Sequence, residues 1–115
     1  VLDSVRILDN RCVYTVVTTD ELKEYGCTVK ATDGIVDQLR IIEGIEIAFL
    51  LYQTGNPDEY KVSLRTNSKV DVSRIAQSFG GGGHVKAAGC TMTGSPEEIV
   101  GKISGKIREQ WKELE

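Results

Sequence analysis

Residues 60–89 run Tyr60-Lys61-Val62-Ser63-Leu64-Arg65-Thr66, Asn67-Ser68-Lys69-Val70-Asp71-Val72-Ser73-Arg74-Ile75, Ala76-Gln77-Ser78-Phe79-Gly80-Gly81-Gly82-Gly83-His84-Val85-Lys86-Ala87-Ala88-Gly89. The first seven alternate: Tyr60, Val62 and Leu64 point one way, and Lys61, Ser63 and Arg65 the other, which predicts a strand with one core face and one polar face. Asn67-Ser68-Lys69 reads as a loop, and Asp71 or a neighbour suits the cap of a helix running through Phe79. Four consecutive glycines lose backbone entropy on folding and bury no side chain, so a stable domain keeps them where the backbone has a special task. A linker is the bland reading, but Ile75, Ala76 and Phe79 before the run and Val85, Ala87 and Ala88 after it are not linker residues. Val85–Ala88 reads as helical. Glycines leading into a helix start bring backbone N–H groups and a partial positive charge to an anion, with phosphate the obvious guest. The run is neither a P-loop nor a dinucleotide GxGxxG.

Working outward, Ile45–Gln53 predicts a partner strand joined to Tyr60–Thr66 through the turn formers Thr54-Gly55-Asn56-Pro57-Asp58. Upstream, Cys12–Thr18 reads as a strand. Thr19-Asp20-Glu21 opens a short helix ending near Gly26, and Thr32-Asp33 caps another whose Ile35, Val36, Leu39 and Ile42 fall at helical spacing before Gly44. Downstream, Cys90–Thr93 reads as a short strand. Ser95-Pro96-Glu97-Glu98 starts a final helix carrying Ile99, Val100, Ile103, Ile107 and Trp111 on one face. Helices alternating with strands predict an α/β fold, a mixed sheet packed by helices in one small domain.

The chain has 115 residues, enough for one core, and its longest apolar stretch, Ile45–Tyr52, is broken by Glu46. That is well short of the ~20 residues of a spanning helix, so a membrane span is excluded. Beginning at Val1 with no signal-like segment, the chain reads as a piece of something longer. Cys12, Cys27 and Cys90 form no CxxC pair and His84 is the sole histidine, which excludes a structural zinc site and suits a reducing cytoplasm. Cys27 and Cys90 have no neighbouring histidine in sequence to support a nucleophile. The net charge of −3 is unevenly spread: residues 61–90 hold five Lys or Arg against Asp71 alone. Local potential, rather than the average, is what draws an anion.

The stretch Ala76–Gly89 resembles the FGGGGHxxAAG signature of the DHH-associated type-1 domain of DHH-family phosphoesterases. Val62-Ser63-Leu64-Arg65-Thr66 and Val70-Asp71-Val72-Ser73 resemble its vSxRS and idvs segments. Thr66 departs from the usual serine but keeps a hydroxyl. The resemblance implies that residues 1–115 are the C-terminal, substrate-binding lobe of a two-lobed enzyme. The facing DHH lobe, absent from this chain, would hold two divalent ions, typically manganese. No catalytic residue and no cofactor are expected in this domain itself. The partners implied are that lobe and the phosphates of nucleic-acid ends or nucleotides. The resemblance extends to the bifunctional oligoribonuclease and 3′-phosphoadenosine-5′-phosphate phosphatase branch. An alternative is an RNA-binding or assembly module related to the C-terminal domain of alanyl-tRNA synthetases and their editing relatives.

The substrate-binding residues so implied are Ser63, Arg65, Thr66, Gly81, Gly82, Gly83 and His84. Arg65 would otherwise be a solvated surface arginine, but its planar five-donor fork suits a phosphate. His84 follows the glycines at the expected helix start, where the bland reading is a cap or core histidine. Gly81–Gly83 would supply a backbone cradle, whereas Ala87, Ala88 and Gly89 read as helix packing. Lys86 reaches a phosphate or is simply solvated. Tyr52, Tyr60, Phe79 and Trp111 lie on apolar faces and read as core or edge aromatics, not stacking platforms.

Overall fold

The computed structural model describes residues 6–8, 11–17, 36 and 44–114. The described residues form a six-stranded mixed sheet: β1 (Arg6–Leu8), β2 (Cys12–Val17), β3 (Ile47–Gln53), β4 (Glu59–Thr66), β5 (Gly82–His84) and β6 (Ala87–Thr93). Their spatial order is β1-β2-β3-β4-β6-β5, with β2 and β3 parallel and every other pair antiparallel. Two helices are described, α1 (Val72–Ser78) and α2 (Pro96–Leu114). This is the expected α/β class. The helices expected after Thr19 and Thr32 lie outside the described residues, apart from buried Val36.

Alternation along each strand sorts the core onto two faces. On one face Cys12, Ile47, Phe49, Leu51, Val62, Leu64, Cys90 and Met92 pack with Ile75 of α1 and Ile99, Ile103, Ile107 and Trp111 of α2. Each large side chain fully buried there contributes about 1.5–3 kcal/mol. On the opposite face Val13, Val17, Ala48, Leu50 and Tyr52 gather with Val36. Among the described residues that second cluster lies over β2 and β3. Over β4, β6 and β5 the same face carries Lys61, Ser63, Arg65, Ala87, Gly89 and Thr91, which are half-buried or exposed.

Local chemistry explains the helix starts. Asp71 caps α1, accepting from the Ser73 and Arg74 amides at 2.9 and 3.2 Å. Ser95 caps α2, accepting from the Glu98 amide at 3.2 Å, with Pro96 in the first turn. Buried Gln110 joins the two helices: its side-chain amide donates to Asp71 O and its carbonyl accepts from Asp71 N, both at 2.8 Å. Next to Gln110 on α2, the Trp111 ring centre lies 4.1 Å from Arg11, which pairs with Glu46.

One expectation fails. Val85–Ala88 is not helical: Val85 and Lys86 are the turn of a tight hairpin, and Ala87 begins β6, so the expected Cys90–Thr93 strand starts three residues earlier. The reason is pairing. Ala88, Cys90 and Met92 face the core with period two, and β6 pairs with β4 along its length and with β5 over residues 87–89.

Candidate functional site

The glycine run does three different jobs. Gly80, at φ +84°, ends α1: its amide donates to Gln77 O at 3.1 Å and the Gly81 amide to Ala76 O at 2.8 Å, the paired bonds of a Schellman cap. Gly81 and Gly83 lie hard against β6. A Cβ on Gly81 would fall 2.2 Å from Gly89 O, and one on Gly83 would fall 2.7 Å from Ala87 O. Gly82, between them, has no positive φ, and a Cβ there meets nothing within 4 Å.

His84 therefore ends a strand rather than starting a helix. What places it is register. Arg65 of β4 pairs with Ala87 of β6, which pairs with His84 of β5, so the three share one row and one face. Two strand spacings separate Arg65 from His84, about 10 Å between backbones. Only the Ala87 methyl lies between them. The neighbouring row is Ser63, Gly89 and Gly82, which carries one hydroxyl and no larger side chain. Ser63, Arg65, Gly82, Ala87 and Gly89 line a shallow, open depression on the sheet.

The hairpin that carries His84 is fastened from beneath. Val85 O accepts from the Val72 amide at 2.9 Å and Lys86 O from the Thr66 amide at 3.1 Å. Since Gln110 holds the residue before Val72, α2 reaches the site through α1. His84 is exposed and Arg65 half-buried, with an Arg65 Nη1 bond to Leu64 O of 3.0 Å. Lys86 is exposed in the turn.

Of the residues expected at the site, Ser63, Arg65, Gly82 and Gly83 line this depression, and His84 stands in the Arg65 row without lining it. Gly81 lines the adjoining part of the same face. Thr66 does not join them. It is buried on the helix-covered side, where its hydroxyl donates to Glu46 O at 3.0 Å and accepts from the Ser68 amide at 3.0 Å, shaping the β4–α1 loop. Ala87 and Gly89, read as helix packing, instead form the floor of the site. Their pairing opposite Arg65 and Ser63 is the signal that reveals them, and it exists only in the sheet.

Burial pushes the Cys90 thiol up to about 11, leaving it protonated and inert at neutral pH. Among the described residues no group of three or more His, Cys, Asp or Glu comes together to hold a metal. This face thus offers positive charge and space to an anion. Among the described residues no helix is long and apolar enough to cross a membrane.

The DHHA1 domain family matches residues 9–113, and the chain belongs to it. It is 34% identical over 95 residues to the bifunctional oligoribonuclease and PAP phosphatase NrnA of Thermus thermophilus, covering 82% of this chain and 29% of that protein. The chain therefore spans under a third of this curated relative. In structure it is similar to an exopolyphosphatase-related protein from Bacteroides fragilis, with TM-score 0.81 and 25% identity over 96% of this chain and 32% of the other. The C-Ala domain of Aquifex aeolicus alanyl-tRNA synthetase shares the fold, with TM-score 0.61 and 16% identity, covering 90% of this chain and 97% of that domain.

Proposed function

We propose that this DHHA1 domain anchors the phosphate of a nucleotide or oligonucleotide end between Arg65 and His84, presenting it to a catalytic DHH lobe that hydrolyses the phosphoester. The observation that carries this reading is the row Arg65–Ala87–His84, two cation-capable side chains on one face across a floor of small residues. Arg65 is the fork for two phosphate oxygens, and the His84 imidazole donates from the opposite side. Ser63 adds a hydroxyl in the next row. Anchoring supplies orientation, while metal and activated water belong to the other lobe, for which manganese is the expected ion. The similarity to an oligoribonuclease and PAP phosphatase supports the substrate class. The buried thiols of Cys12 and Cys90 are compatible with a cytoplasmic setting.

The alternative, an RNA-binding or assembly module of the alanyl-tRNA synthetase kind, rests on the fold alone. An Asp-His-His triplet encoded upstream in the same gene decides for the phosphoesterase, and its absence decides against it. The direct test is titration with adenosine 5′-monophosphate, followed by NMR. Arg65→Ala and His84→Ala keep the wild-type fold, and Arg65→Ala weakens binding about tenfold to a hundredfold. Unchanged affinity in both variants overturns the proposal.

A further inference from the structure

We infer that Gln110, on α2, is a positioning residue for His84: it fixes where the imidazole stands by holding the start of α1, and it acts from the helix-covered side of the sheet, away from the ligand. This rests on the Arg65–His84 anchor proposed above. Its neighbours on the inward side of α2, Ile103, Ile107 and Trp111, are apolar and pack against the sheet. Gln110 is only 6% exposed, yet both ends of its amide are used, and on a single residue. Nε2 donates to Asp71 O and Oε1 accepts from Asp71 N, both at 2.8 Å. Two bonds to one residue's backbone fix its direction as well as its distance, as a bonded pair does between antiparallel strands.

Asp71 is where the chain enters α1. Its carboxylate caps the helix, and the next amide, Val72 N, donates to Val85 O in the turn after His84. At the far end of α1, Gly80 and Gly81 lead directly into β5. Residues 72–85 thus form a ring of chain closed by the Val72–Val85 bond at 2.9 Å, with His84 one residue from the closure. Among the described residues β5 is an edge strand, laddered to β6 over three residue pairs. A displacement of Asp71 is therefore passed to Val85 and on to His84. Arg65 stays where it is, because β4 pairs it with Ala48 on one side and Ala87 on the other.

A second tether survives the loss of Gln110. Lys86 O accepts from the Thr66 amide, and the Thr66 hydroxyl is bonded to Glu46 O. Without the Gln110 clamp the hairpin consequently shifts rather than detaches. For a ligand the consequence is geometric. A phosphate held by Arg65 is gripped from the opposite side only while the imidazole is within hydrogen-bond reach, and a shift of about 0.5 Å or more spoils that geometry.

The test is a double-mutant cycle on the natural full-length chain, in EDTA to prevent metal-dependent turnover, read by calorimetric titration with adenosine 5′-monophosphate. Gln110→Met keeps the volume and loses both bonds; it weakens binding about tenfold, as His84→Ala does. Added to His84→Ala, it weakens binding by no more than about twofold further, because the contact it misplaces is already gone. Gln110→Met also shifts the imidazole NMR signals of His84, assigned by their absence in His84→Ala. Gln110→Glu keeps the bond from Asp71 N and gives a smaller loss with the same dependence on His84, which decides the matter if Gln110→Met does not fold. An equal loss with and without His84 refutes the positioning role, since Gln110 then acts through the fold at large. Wild-type affinity and unshifted His84 signals in the Gln110 variants refute it too, and leave the anchor standing. If His84→Ala itself binds as wild type does, the His84 half of the anchor fails and the positioning role falls with it.

Discussion

Gly81→Ala and Gly82→Ala are neighbouring substitutions with opposite expected outcomes. An alanine methyl at position 81 falls 2.2 Å from Gly89 O, 2.6 Å from Cys90 Cβ and 2.7 Å from Cys90 Cα. Two of those three atoms are backbone, so rotating a side chain brings no relief; β5 has to part from β6, whose shared ladder is three residue pairs. Overpacking costs about 1–3 kcal/mol, occasionally more, and unyielding neighbours put this site at the upper end. Against a total stability of about 5–15 kcal/mol, that is a large fraction. A methyl at position 82 meets nothing within 4 Å, at a φ outside the left-handed region. Losing glycine's unfolded-state entropy there makes Gly82→Ala neutral or stabilising by about 0.4–1 kcal/mol. Urea denaturation reads both effects as a shift in midpoint at constant slope. The binding order is also fixed: Gly82→Ala folds like wild type yet binds adenosine 5′-monophosphate more weakly, because its methyl stands on the ligand face. Gly81→Ala as stable as wild type, or Gly82→Ala as unstable as Gly81→Ala, would show that the β5–β6 packing described here is wrong.

Thr66→Val keeps the shape of a buried side chain but strands the Ser68 amide, while Glu46 O keeps the Asn67 amide, costing about 1–3 kcal/mol in thermal or urea denaturation; an undiminished midpoint contradicts that role of the hydroxyl. The Ser73 side-chain bond and the Ser73 and Arg74 amides hold the Asp71 carboxyl below its ordinary value. Its stabilisation is thus present above the unfolded pKa of about 3.9 and lost as pH falls through the lower folded value. Asp71→Ala accordingly costs about 1 kcal/mol at pH 7, and the gap to wild type narrows in acid; a gap constant down to pH 2 contradicts the capping role. Cys90, protonated at neutral pH, resists iodoacetamide in the native protein and reacts in urea; fast native labelling at that position, read by peptide mass, contradicts its burial.

Elements with local chemistry of their own were legible from the residues. The β4 alternation, the Asp71 cap, the Ser95-Pro96 helix start and the Ile99-Ile103-Ile107-Trp111 stripe each carry their signal within one turn or a few strand residues. β1 was not legible, because a strand of three residues is defined by pairing with β2 and has too few positions to show a period. The β5–β6 hairpin was misread for a related reason. Glycine and alanine have weak strand preference, and Val85–Ala88 contains no turn residue to announce the reversal. Only the core-facing period of Ala88, Cys90 and Met92 pointed to a strand.

The site divides along the same line. Ser63 and Arg65 were placed together by alternation, a property of one strand. That His84 stands in their row follows from two successive strand registers, which nothing local encodes. Ala87 and Gly89 were missed because their contribution to the site is the absence of bulk opposite particular partners. Thr66 is the instructive contrast. Strand parity alone sets it with Val62 and Leu64, on the side away from Arg65, so the alternation that identified the polar face already argued against including it there. Its motif position and its hydroxyl pointed to the ligand, whereas its geometry assigns that hydroxyl to the Glu46 carbonyl and the Ser68 amide. A motif residue on the covered side of a strand acts on the ligand only through the backbone it holds. Thr66 holds its share through its own amide, bonded to Lys86 O in the turn that follows His84.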